Sequence, residues 1–286
     1  MTDNEKTQVL FSRLERGLAE LIESGDWRNY LFSQSKFHRY SFNNVLLILL
    51  QKPDASRIAG YQTWRELGRQ VKRGERALQI LAPLQRKQER ENEKGESETF
   101  YAVAGFKTVS VFDISQTEGD DLPEIRSCLL GDDGGLSKHL LAFSNNNHVP
   151  VYFEPSLEGA NGTCHFRQGK PVKITVDPLL PRLHQAKTLA HEIAHSLLHG
   201  ADQYRGHSQK SLIELEAESV AFIVTQHFGL DSSSYSFPYI AGWQKDEPDA
   251  LENLKTSGHR IQKAASQMID SIESIVGTQF SFTNAA

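Results

Sequence analysis

The amino-acid sequence predicts an α+β protein with two domains, and three observations lead to that prediction. Patterns typical of helices and patterns typical of short strands both occur in each half of the chain. A stretch rich in Asp, Gly and Glu, residues 116–137, separates the two halves. The 286 residues, of which 38% are hydrophobic, are enough to bury two modest cores. We therefore expect an N-terminal domain over residues 1–121 and a C-terminal domain over residues 122–286.

The N-terminal half is predicted to begin with helices and to continue with strands. Apolar residues recur at helical spacing in residues 5–24, and residues 42–50 form an apolar run that suits a second helix. Residues 77–84 and 100–111 have the apolar patterns of two strands. The charged residues 85–98 between these strands are expected to form a mobile connection.

The C-terminal half is predicted to contain a small sheet and several helices. Short strands are expected at residues 149–153, 162–166 and 172–176. The tetrapeptide Arg-Gln-Gly-Lys at positions 167–170 suits the turn of a hairpin between the last two strands. Residues 249–275 have a helical pattern, and the sequence assigns them no role.

The most informative motif is His-Glu-Ile-Ala-His at positions 191–195, on a helix predicted between positions 181 and 200. Histidines four residues apart lie one turn above each other on a helix, so His191 and His195 can reach one metal ion. Glu192 faces the same cleft and is a candidate general base, which takes a proton from the attacking water. This donor pattern predicts a hydrolytic zinc site, provided that a third ligand exists.

The third ligand is expected from a second helical segment that opens at Glu214. The extended motif HExxHxxGxxH is excluded because Ala201 stands at its last histidine position, and His199 lies about 12 Å along the axis from the first histidine. His199 is expected to favour the negative end of the helix dipole instead. Glu214 and Glu218 share a helix face, whereas Glu216 points away from them. We expect Glu214 to bind zinc and Glu218 to hydrogen-bond a histidine ligand, with Glu218 as the alternative ligand.

Several motifs resemble known families. The pair formed by residues 191–195 and 214–218 resembles the ImmA/IrrE-type metallopeptidases, whose zinc is held by the two histidines and the first glutamate. The upstream motifs are similar to the N-terminal domain of ArdC-type anti-restriction proteins, and they are Tyr40–Asn44, Gly60–Trp64, Val71–Ala77 and Val111–Thr117. The resemblance implies a single-stranded DNA-binding domain followed by a zincin-like metallopeptidase domain that contains the HExxH helix.

The charge distribution agrees with a nucleic-acid partner for one half only. The whole chain carries a formal charge of −5, but residues 28–90 contain 13 basic and 4 acidic residues, whereas residues 116–286 contain 13 basic and 21 acidic ones. Cations contact phosphates, and exposed aromatic faces stack on unpaired bases. The residues expected to contact DNA are Tyr61, Trp64, Arg65, Lys72, Arg73 and Arg76. The two aromatic side chains of this set are expected to be exposed.

The remaining composition excludes a membrane protein and a disulfide-bonded one. No apolar run approaches the roughly 18 residues that a membrane span needs, and the first residues lack the pattern of a signal peptide. Only two cysteines occur, which favours a reducing compartment. We therefore expect a cytoplasmic protein without a membrane partner.

The sequence leads to one preferred function and two alternatives. The preferred function is that of a single-stranded DNA-binding protein with a zinc-dependent peptidase domain, acting in anti-restriction or in the regulation of mobile elements or phages. The strand at 172–176 is expected to border the cleft and to hold an extended peptide as an added strand. One alternative is a non-catalytic DNA-protection protein with structural zinc, and the other is a protease that cleaves a repressor. The protein substrate stays open.

Overall fold

The computed structural model describes residues 2–91, 97–122, 133–155, 159–200, 207–230 and 249–276. Helices and strands are mixed throughout these ranges, so the predicted α+β class is confirmed. Contacts between residues divide the chain into two compact units. The N-terminal unit consists mainly of Met1–Ala19 and Asn43–Leu122, and the C-terminal unit consists mainly of Glu20–Phe42 and Pro123–Ser281.

The first part of the chain forms four helices and five strands. The helices are α1 (Asp3–Ser24), α2 (Trp27–Lys36), α3 (Phe42–Gln51) and α4 (Tyr61–Glu66). The strands are β1 (Ile58–Gly60), β2 (Arg69–Val71), β3 (Leu78–Glu91), β4 (Ser97–Asp113) and β5 (Thr117–Gly119). Strands β1, β4 and β3 form an antiparallel sheet in that order, and β2 pairs with β5. Helices α1 and α3 and strands β3 and β4 lie where the sequence predicts them.

The charged connection predicted between β3 and β4 is instead a continuation of both strands. Residues 85–91 pair with residues 97–103, after a register shift between Leu84 and Gln85. The prediction of a mobile stretch over residues 85–98 is therefore wrong for the residues that the structure describes. The reason is that backbone hydrogen bonds between β3 and β4 continue past the part of the sheet that packs on the core. The charged side chains of this part remain in water.

Helix α3 covers the outer edge of β3 through two side-chain amides. Asn44 donates to the carbonyl of Leu81 at 2.8 Å and accepts from its N–H at 2.9 Å. Gln51 makes the same pair of bonds with Gln79, both at 2.9 Å. A side-chain amide offers one acceptor and two donors, so it can satisfy an edge residue as a neighbouring strand would.

The described residues of the C-terminal unit form a small sheet and four further helices. Its strands are β6 (Val151–Phe153), β7 (Gly162–Arg167) and β8 (Lys170–Val176), and its further helices are α5 (Leu136–Asn146), α6 (Arg182–Leu198), α7 (His207–His227) and α8 (Ala250–Val276). Strand β8 lies in the centre of the sheet, parallel to β6 and antiparallel to β7. The predicted hairpin turn is confirmed, since Gln168 and Gly169 have φ values of 50° and 72°, the positive values that a tight two-residue turn requires.

Two predictions about these elements need correction. Helix α7 begins at His207, seven residues before Glu214, where the sequence analysis placed its start. Strand β8 pairs with β7 along its whole length and with β6 at residues 174–176, so it is not a free edge strand there. The expectation that the strand at 172–176 takes up an additional peptide strand is therefore wrong.

Residues 20–42 pack with the C-terminal unit, although the sequence analysis placed them in the N-terminal domain. The Trp27 indole donates to the hydroxyl of Ser219 on α7 at 3.1 Å. The Trp27 ring stacks on Tyr30 at a centroid distance of 4.9 Å, and Tyr30 contacts the edge of Phe42 at 5.0 Å. Three large buried rings thus tie α2 to this core. The predicted domain boundary near residue 121 stays a prediction.

Helix α7 is the central element of the C-terminal unit. Residues 215–225 are buried without a break, although this stretch contains two glutamates and a serine. The helix contacts α2, α6 and α8, which explains why no polar face is visible in this part of its sequence. No helix in the described ranges is both long and apolar enough to cross a membrane.

A polar network attaches α8 to the segment that follows α2. Arg39 pairs with Asp270 at 3.1 Å and with Glu273 at 2.9 Å. His38 lies 3.3 Å from Asp270, and His227 lies 3.0 Å from Glu273. The hydrogen bond with His38, together with the ion pair to Arg39, lowers the pKa of Asp270 to about 2. Ionised Asp270 therefore stabilises the folded protein.

We predict that Asp270→Asn lowers the free energy of unfolding by about 1 kcal/mol at pH 7, a value that allows for the 46% exposure of the carboxylate. Because the folded pKa is depressed, this stability is present above pH ~4 and is lost as the pH falls through about 2. Thermal unfolding of wild type and variant between pH 7 and pH 3 measures the difference, which should narrow on the acid side.

Glu154→Gln is the control, because it removes an exposed and longer ion pair, at 3.9 Å from Lys173. That change should alter stability by less than about 0.5 kcal/mol. An Asp270→Asn variant as stable as wild type at pH 7 would contradict the stabilising role of the network.

Candidate metal centre

Three side chains from two helices meet at one point of the C-terminal unit. Helix α6 places His191 and His195 one turn apart, with their Nε2 atoms 2.9 Å from each other. Helix α7 brings Glu214 Oε2 to 3.4 Å from His191 Nε2 and to 3.7 Å from His195 Nε2. Ligand atoms of all three residues lie within 4.8 Å of one another, a spacing at which one ion can contact them all. The structure thus brings together the three residues that the sequence analysis selected as ligands.

The donor set of this group suits a divalent cation. Two imidazoles and one carboxylate form the three-ligand set that is typical of catalytic zinc, in which the remaining position faces the substrate. The three side chains line an open cleft of about 760 Å³. They are partly exposed, with 17%, 12% and 39% of the side chains of His191, His195 and Glu214 accessible. An additional ligand could therefore approach from solvent.

The electrostatics of the group also favour a cation. Hydrogen bonding to His191, and after it the neighbouring imidazole of His195, hold the pKa of Glu214 far below its ordinary value. Burial lowers the pKa of His191, but the carboxylates of Glu214 and Glu218 outweigh that effect and raise it to about 9. Both shifts show that this corner of the cleft attracts positive charge, whether a proton or a metal ion.

Glu192 lies in the same cleft but outside the group of three. Its side chain is only 7% exposed, and burial raises its pKa. The backbone N–H of Cys164 on β7 donates to its carboxylate. A buried carboxylate with a raised pKa beside a metal group has the properties expected of a residue that accepts and donates protons.

Glycine at position 162 lets β7 approach Glu192 closely. A Cβ atom on Gly162 would lie 2.6 Å from Cγ2 of Thr188 and 3.0 Å from Cγ of Glu192, closer than side chains tolerate. No local pattern in the sequence singles out this residue, because its φ is not positive and its neighbours come from a helix 26 and 30 residues further on. Its small size is therefore part of the geometry of the cleft.

The other ring nitrogen of each histidine has its own partner. His191 Nδ1 lies 2.9 Å from Glu218 Oε2, and the buried Lys187 forms an ion pair with the same glutamate. His195 Nδ1 lies 2.9 Å from His199 Nδ1, whose ring reaches Glu216 Oε2 through Nε2, also at 2.9 Å. Each imidazole is thereby held by a second group that orients the ring.

Two of these contacts were missed by the sequence analysis. Glu216 points away from Glu214 and Glu218, as expected, but it is 1% exposed and contacts His199, a contact that the sequence analysis did not predict. His199 interacts with this side chain as well as ending α6, and burial lowers its pKa. The spacing of four residues between His195 and His199 could have indicated their contact. No sequence signal connects His199 with Glu216, because the two lie on different helices.

The residues expected to contact DNA lie in the N-terminal unit, on α4 and on the connection from β2 to β3. Tyr61 is 48% exposed, and Arg65, one turn later on α4, is exposed as well. Lys72, Arg73 and Arg76 are exposed too, and the Lys72 ammonium donates to the carbonyl of Ser115 at 3.0 Å. The structure leaves these side chains accessible to a ligand.

The exposure predicted for Trp64 is wrong. Its ring is fully buried, and its indole N–H donates to the carbonyl of Phe112 at 3.0 Å. Tyr61 and Trp64 are three residues apart on a helix of only six residues, of which one side faces the core. A hydrogen-bonded ring inside the core cannot stack on a base, so Trp64 is a structural residue of the N-terminal unit.

Comparison with known proteins identifies both parts of the chain. Residues 4–112 match the family model of the N-terminal domain of anti-restriction factor ArdC, and residues 147–228 match that of the IrrE N-terminal-like domain, a peptidase family. The family resemblances predicted from the sequence motifs are therefore confirmed. The second match includes all residues of the group of three, whereas α8 lies outside both matches.

Individual proteins that resemble the whole chain share only about a fifth to a quarter of its residues. An uncharacterized protein of Bacillus anthracis is 26% identical over 274 residues, a match that covers 84% of this chain and 46% of that protein. The chain thus spans about half the length of this curated relative. The Mn(II)-bound crystal structure of the antirestriction ArdC protein from the R388 plasmid is 19% identical, with a TM-score of 0.53, and covers 94% of this chain and 99% of the other. The metal-free structure of that protein is 22% identical, with a TM-score of 0.45 and coverages of 84% and 86%.

We predict that Gly162→Ala lowers the free energy of unfolding by about 1–3 kcal/mol, because the new methyl group overlaps Thr188 and Glu192. Urea unfolding measures this effect. Thr163→Ala on the same strand is the control, since Thr163 is exposed, and should change stability by less than about 0.5 kcal/mol. Unchanged stability of Gly162→Ala would show that β7 lies further from α6 than described.

Proposed function

We propose that this protein combines a single-stranded DNA-binding N-terminal domain with a zinc-dependent peptidase domain and acts in anti-restriction. The observation that carries the proposal is the meeting of His191, His195 and Glu214 beside Glu192 in an open cleft. A zinc ion that only stabilises a fold is usually enclosed by four protein ligands. Three ligands, an accessible fourth side and an adjacent buried carboxylate are typical of a hydrolytic site instead.

The residues of the cleft suggest how peptide hydrolysis proceeds. The metal, when bound by His191, His195 and Glu214, supplies a Lewis acid that polarises the substrate carbonyl and acidifies water. Glu192 accepts the proton of the attacking water and passes it to the nitrogen of the leaving amine. The N–H of Cys164 positions the Glu192 carboxylate for both transfers. Glu218 accepts from His191 and keeps that ring turned toward the ion.

Zinc is the proposed ion for two reasons. Nitrogen donors from two imidazoles with one carboxylate are typical of zinc peptidases, whereas magnesium and calcium prefer oxygen donors alone. The ArdC protein of the R388 plasmid, which shares the fold, has been crystallised with Mn(II). That observation supports a divalent metal in this cleft, and the imidazole pair favours zinc over manganese by the usual order of affinities.

An extended peptide is expected to bind along β7 rather than β8. Strand β7 pairs with β8 on one side, and the structure describes no other strand beside it. Residues 161–164 and Phe166 line the cleft next to the group of three. Backbone hydrogen bonds to β7 could therefore hold a substrate strand across the site without regard to most of its side chains.

DNA binding is proposed for the N-terminal domain. The match of residues 4–112 to the ArdC domain supports it, as does the local excess of basic residues. Tyr61 and Arg65 lie on the exposed side of α4, where a ring and a guanidinium can contact a base and a phosphate together. Stacking on Tyr61 requires a base without a partner strand, which favours single-stranded over duplex DNA.

We predict that the purified protein binds about one zinc ion per chain. His191→Ala and His195→Ala should lose the ion, and Glu214→Ala should bind it more weakly. Glu192→Gln should keep zinc and fold but hydrolyse no peptide, because an amide cannot accept the proton of the attacking water. Atomic absorption after dialysis measures the metal, and a proteolysis screen with and without single-stranded DNA measures activity.

Other results of these zinc and activity measurements would each contradict a particular assignment. Full zinc content in His195→Ala would contradict the ligand assignment. Loss of zinc in Glu218→Ala but not in Glu214→Ala would exchange the roles of the two glutamates. If Glu192→Gln retains the biological effect while His191→Ala abolishes it, the zinc is structural and the protein is a non-catalytic one. Cleavage of a repressor by the wild type alone would instead favour a regulatory protease.

We predict that the full-length protein binds single-stranded DNA more tightly than duplex, with an affinity that falls steeply with salt. Tyr61→Ala should weaken binding by roughly 1–3 kcal/mol with little change in the salt dependence, because it removes stacking. Replacing Lys72, Arg73 and Arg76 by Ala should weaken binding and flatten the salt dependence, because it removes phosphate contacts. Fluorescence anisotropy at several salt concentrations distinguishes the two effects.

The control is Lys173→Ala, a half-exposed cation of the C-terminal unit, which should leave DNA binding unchanged. Equal affinity for duplex and single strand would refute the stacking role of Tyr61. Wild-type binding by the triple variant would place the DNA site elsewhere.

A further inference from the structure

Helix α8 lies outside both family matches, yet it reaches the metal group through a buried glutamate. Glu216 on α7 is 1% exposed. The hydroxyl of Ser257 on α8 donates to Glu216 Oε1 at 2.6 Å, and Arg260 Nη2 lies 3.2 Å from Oε2. A buried carboxylate is costly unless it is paired and hydrogen-bonded, and α8 supplies both kinds of partner.

Glu216 is the acidic partner of Arg260 in an ion pair, and a carboxylate can only accept hydrogen bonds. His199 Nε2, at 2.9 Å from Glu216 Oε2, must therefore carry a proton and donate it. A neutral imidazole has one N–H, so Nδ1 of the same ring is left as an acceptor. The contact with Glu216 thus fixes the tautomer of His199.

The same reasoning extends to the metal group. His199 Nδ1 lies 2.9 Å from His195 Nδ1, and one of the two nitrogens must donate. Because the nitrogen of His199 accepts, His195 carries its proton on Nδ1. Its lone pair is then on Nε2, the atom that faces His191 Nε2 and Glu214. His195 is therefore prepared to bind a metal through Nε2.

The two imidazoles are oriented through their Nδ1 atoms in different ways. His191 Nδ1 contacts Glu218 directly, whereas His195 reaches a carboxylate only through a second imidazole. The longer path requires that two rings and Glu216 stay aligned. Arg260 also donates to the carbonyl of Leu198 at 2.6 Å, at the last residue of α6. Arg260 on α8 thus contacts both the last residue of α6 and the carboxylate of Glu216.

We propose that α8 is part of the metal centre: Ser257 and Arg260 hold Glu216, Glu216 fixes the tautomer of His199, and His199 presents His195 Nε2 to the metal. The four residues are positioning residues, because none of them contacts the ion. The proposal rests on the proposed metal-binding role of His195. The tautomers, however, belong to the protein before metal binds, and they can be measured without it.

The first measurement is a two-bond ¹H–¹⁵N spectrum of full-length protein with labelled histidine, after removal of metal by a chelator. We expect His195 as the Nδ1–H tautomer and His199 as the Nε2–H tautomer. In His199→Phe, which keeps a ring of similar size, the preference of His195 should be lost. A wild-type His195 protonated on Nε2 would overturn the proposal, even if His199→Phe does not fold.

The second measurement is zinc affinity, by competition with a chromophoric chelator. Ser257→Ala should bind zinc roughly 10-fold more weakly and His199→Phe roughly 10- to 100-fold more weakly, as usual for groups that orient a metal ligand. Ser266→Ala is the matched control, since it removes a serine of the same helix that contacts only Asp270 in the hydrogen bonds described. It should bind zinc as the wild type does.

The outcomes separate this proposal from the proposed function. Equal zinc affinities for Ser257→Ala and Ser266→Ala, with wild-type tautomers in both, would refute the role of α8 while leaving the metal site intact. A wild type that binds no zinc would refute the metal site, and the tautomers would still decide whether the path from Glu216 to His195 exists.

Discussion

The C-terminal unit depends on one constraint, which is that the carboxylates of α7 must be paired where they meet α6. Glu216 and Glu218 are buried on a helix that carries no other charged residue along this stretch, and a buried charge without a partner would cost several kcal/mol. His191 on α6 contacts Glu218, and His199, the residue that follows α6, contacts Glu216. Lys187 adds an ion pair to Glu218. The packing of the two helices and the geometry of the metal group are therefore the same set of contacts.

This arrangement explains how His191, His195 and Glu214 are fixed in position while their cleft stays open to solvent. Each histidine is fixed from its Nδ1 side by a buried polar contact, so the Nε2 side is free to face the cleft. Glu214, which lies at the open end of the same row of glutamates, is the most exposed of the three acids and completes the group from α7. Burial on one side and access on the other are what a metal site needs for chemistry rather than for folding alone.

The sequence predicted those parts of the structure that depend on local patterns. Spacing within a helix was enough to place His191, Glu192 and His195 on one face, and the Gln-Gly pair was enough to place the hairpin turn at 168–169. It did not predict contacts made between elements that are distant in the chain. For Glu216 the sequence indicated only a direction away from Glu214 and Glu218, and the position of α8 shows why this side chain is buried.

Aromatic residues show the same limit. Trp64 and Tyr61 are neighbours in the sequence with similar surroundings, but one is in the core and the other in solvent. Which face of a short helix is buried depends on the strands that pack on it, and the six residues of α4 make fewer than two turns, too few for a clear apolar face in the sequence. The pairing of β3 and β4 beyond the core was missed for a related reason, since charged residues alone cannot indicate whether their backbones are paired.

The amides that cover β3 have a consequence for the behaviour of the protein in solution. An uncovered strand edge can pair with strands of other molecules and so begin aggregation. Asn44 and Gln51 occupy the outer edge of β3 at its apolar part, near Gln79 and Leu81, so this edge offers no template to a second chain there. On strand β7 the Cys164 N–H is bonded to the Glu192 side chain, and the structure describes no other strand beside this edge. The protein thus protects the apolar part of the β3 edge from association, whereas residues of β7 line the cleft.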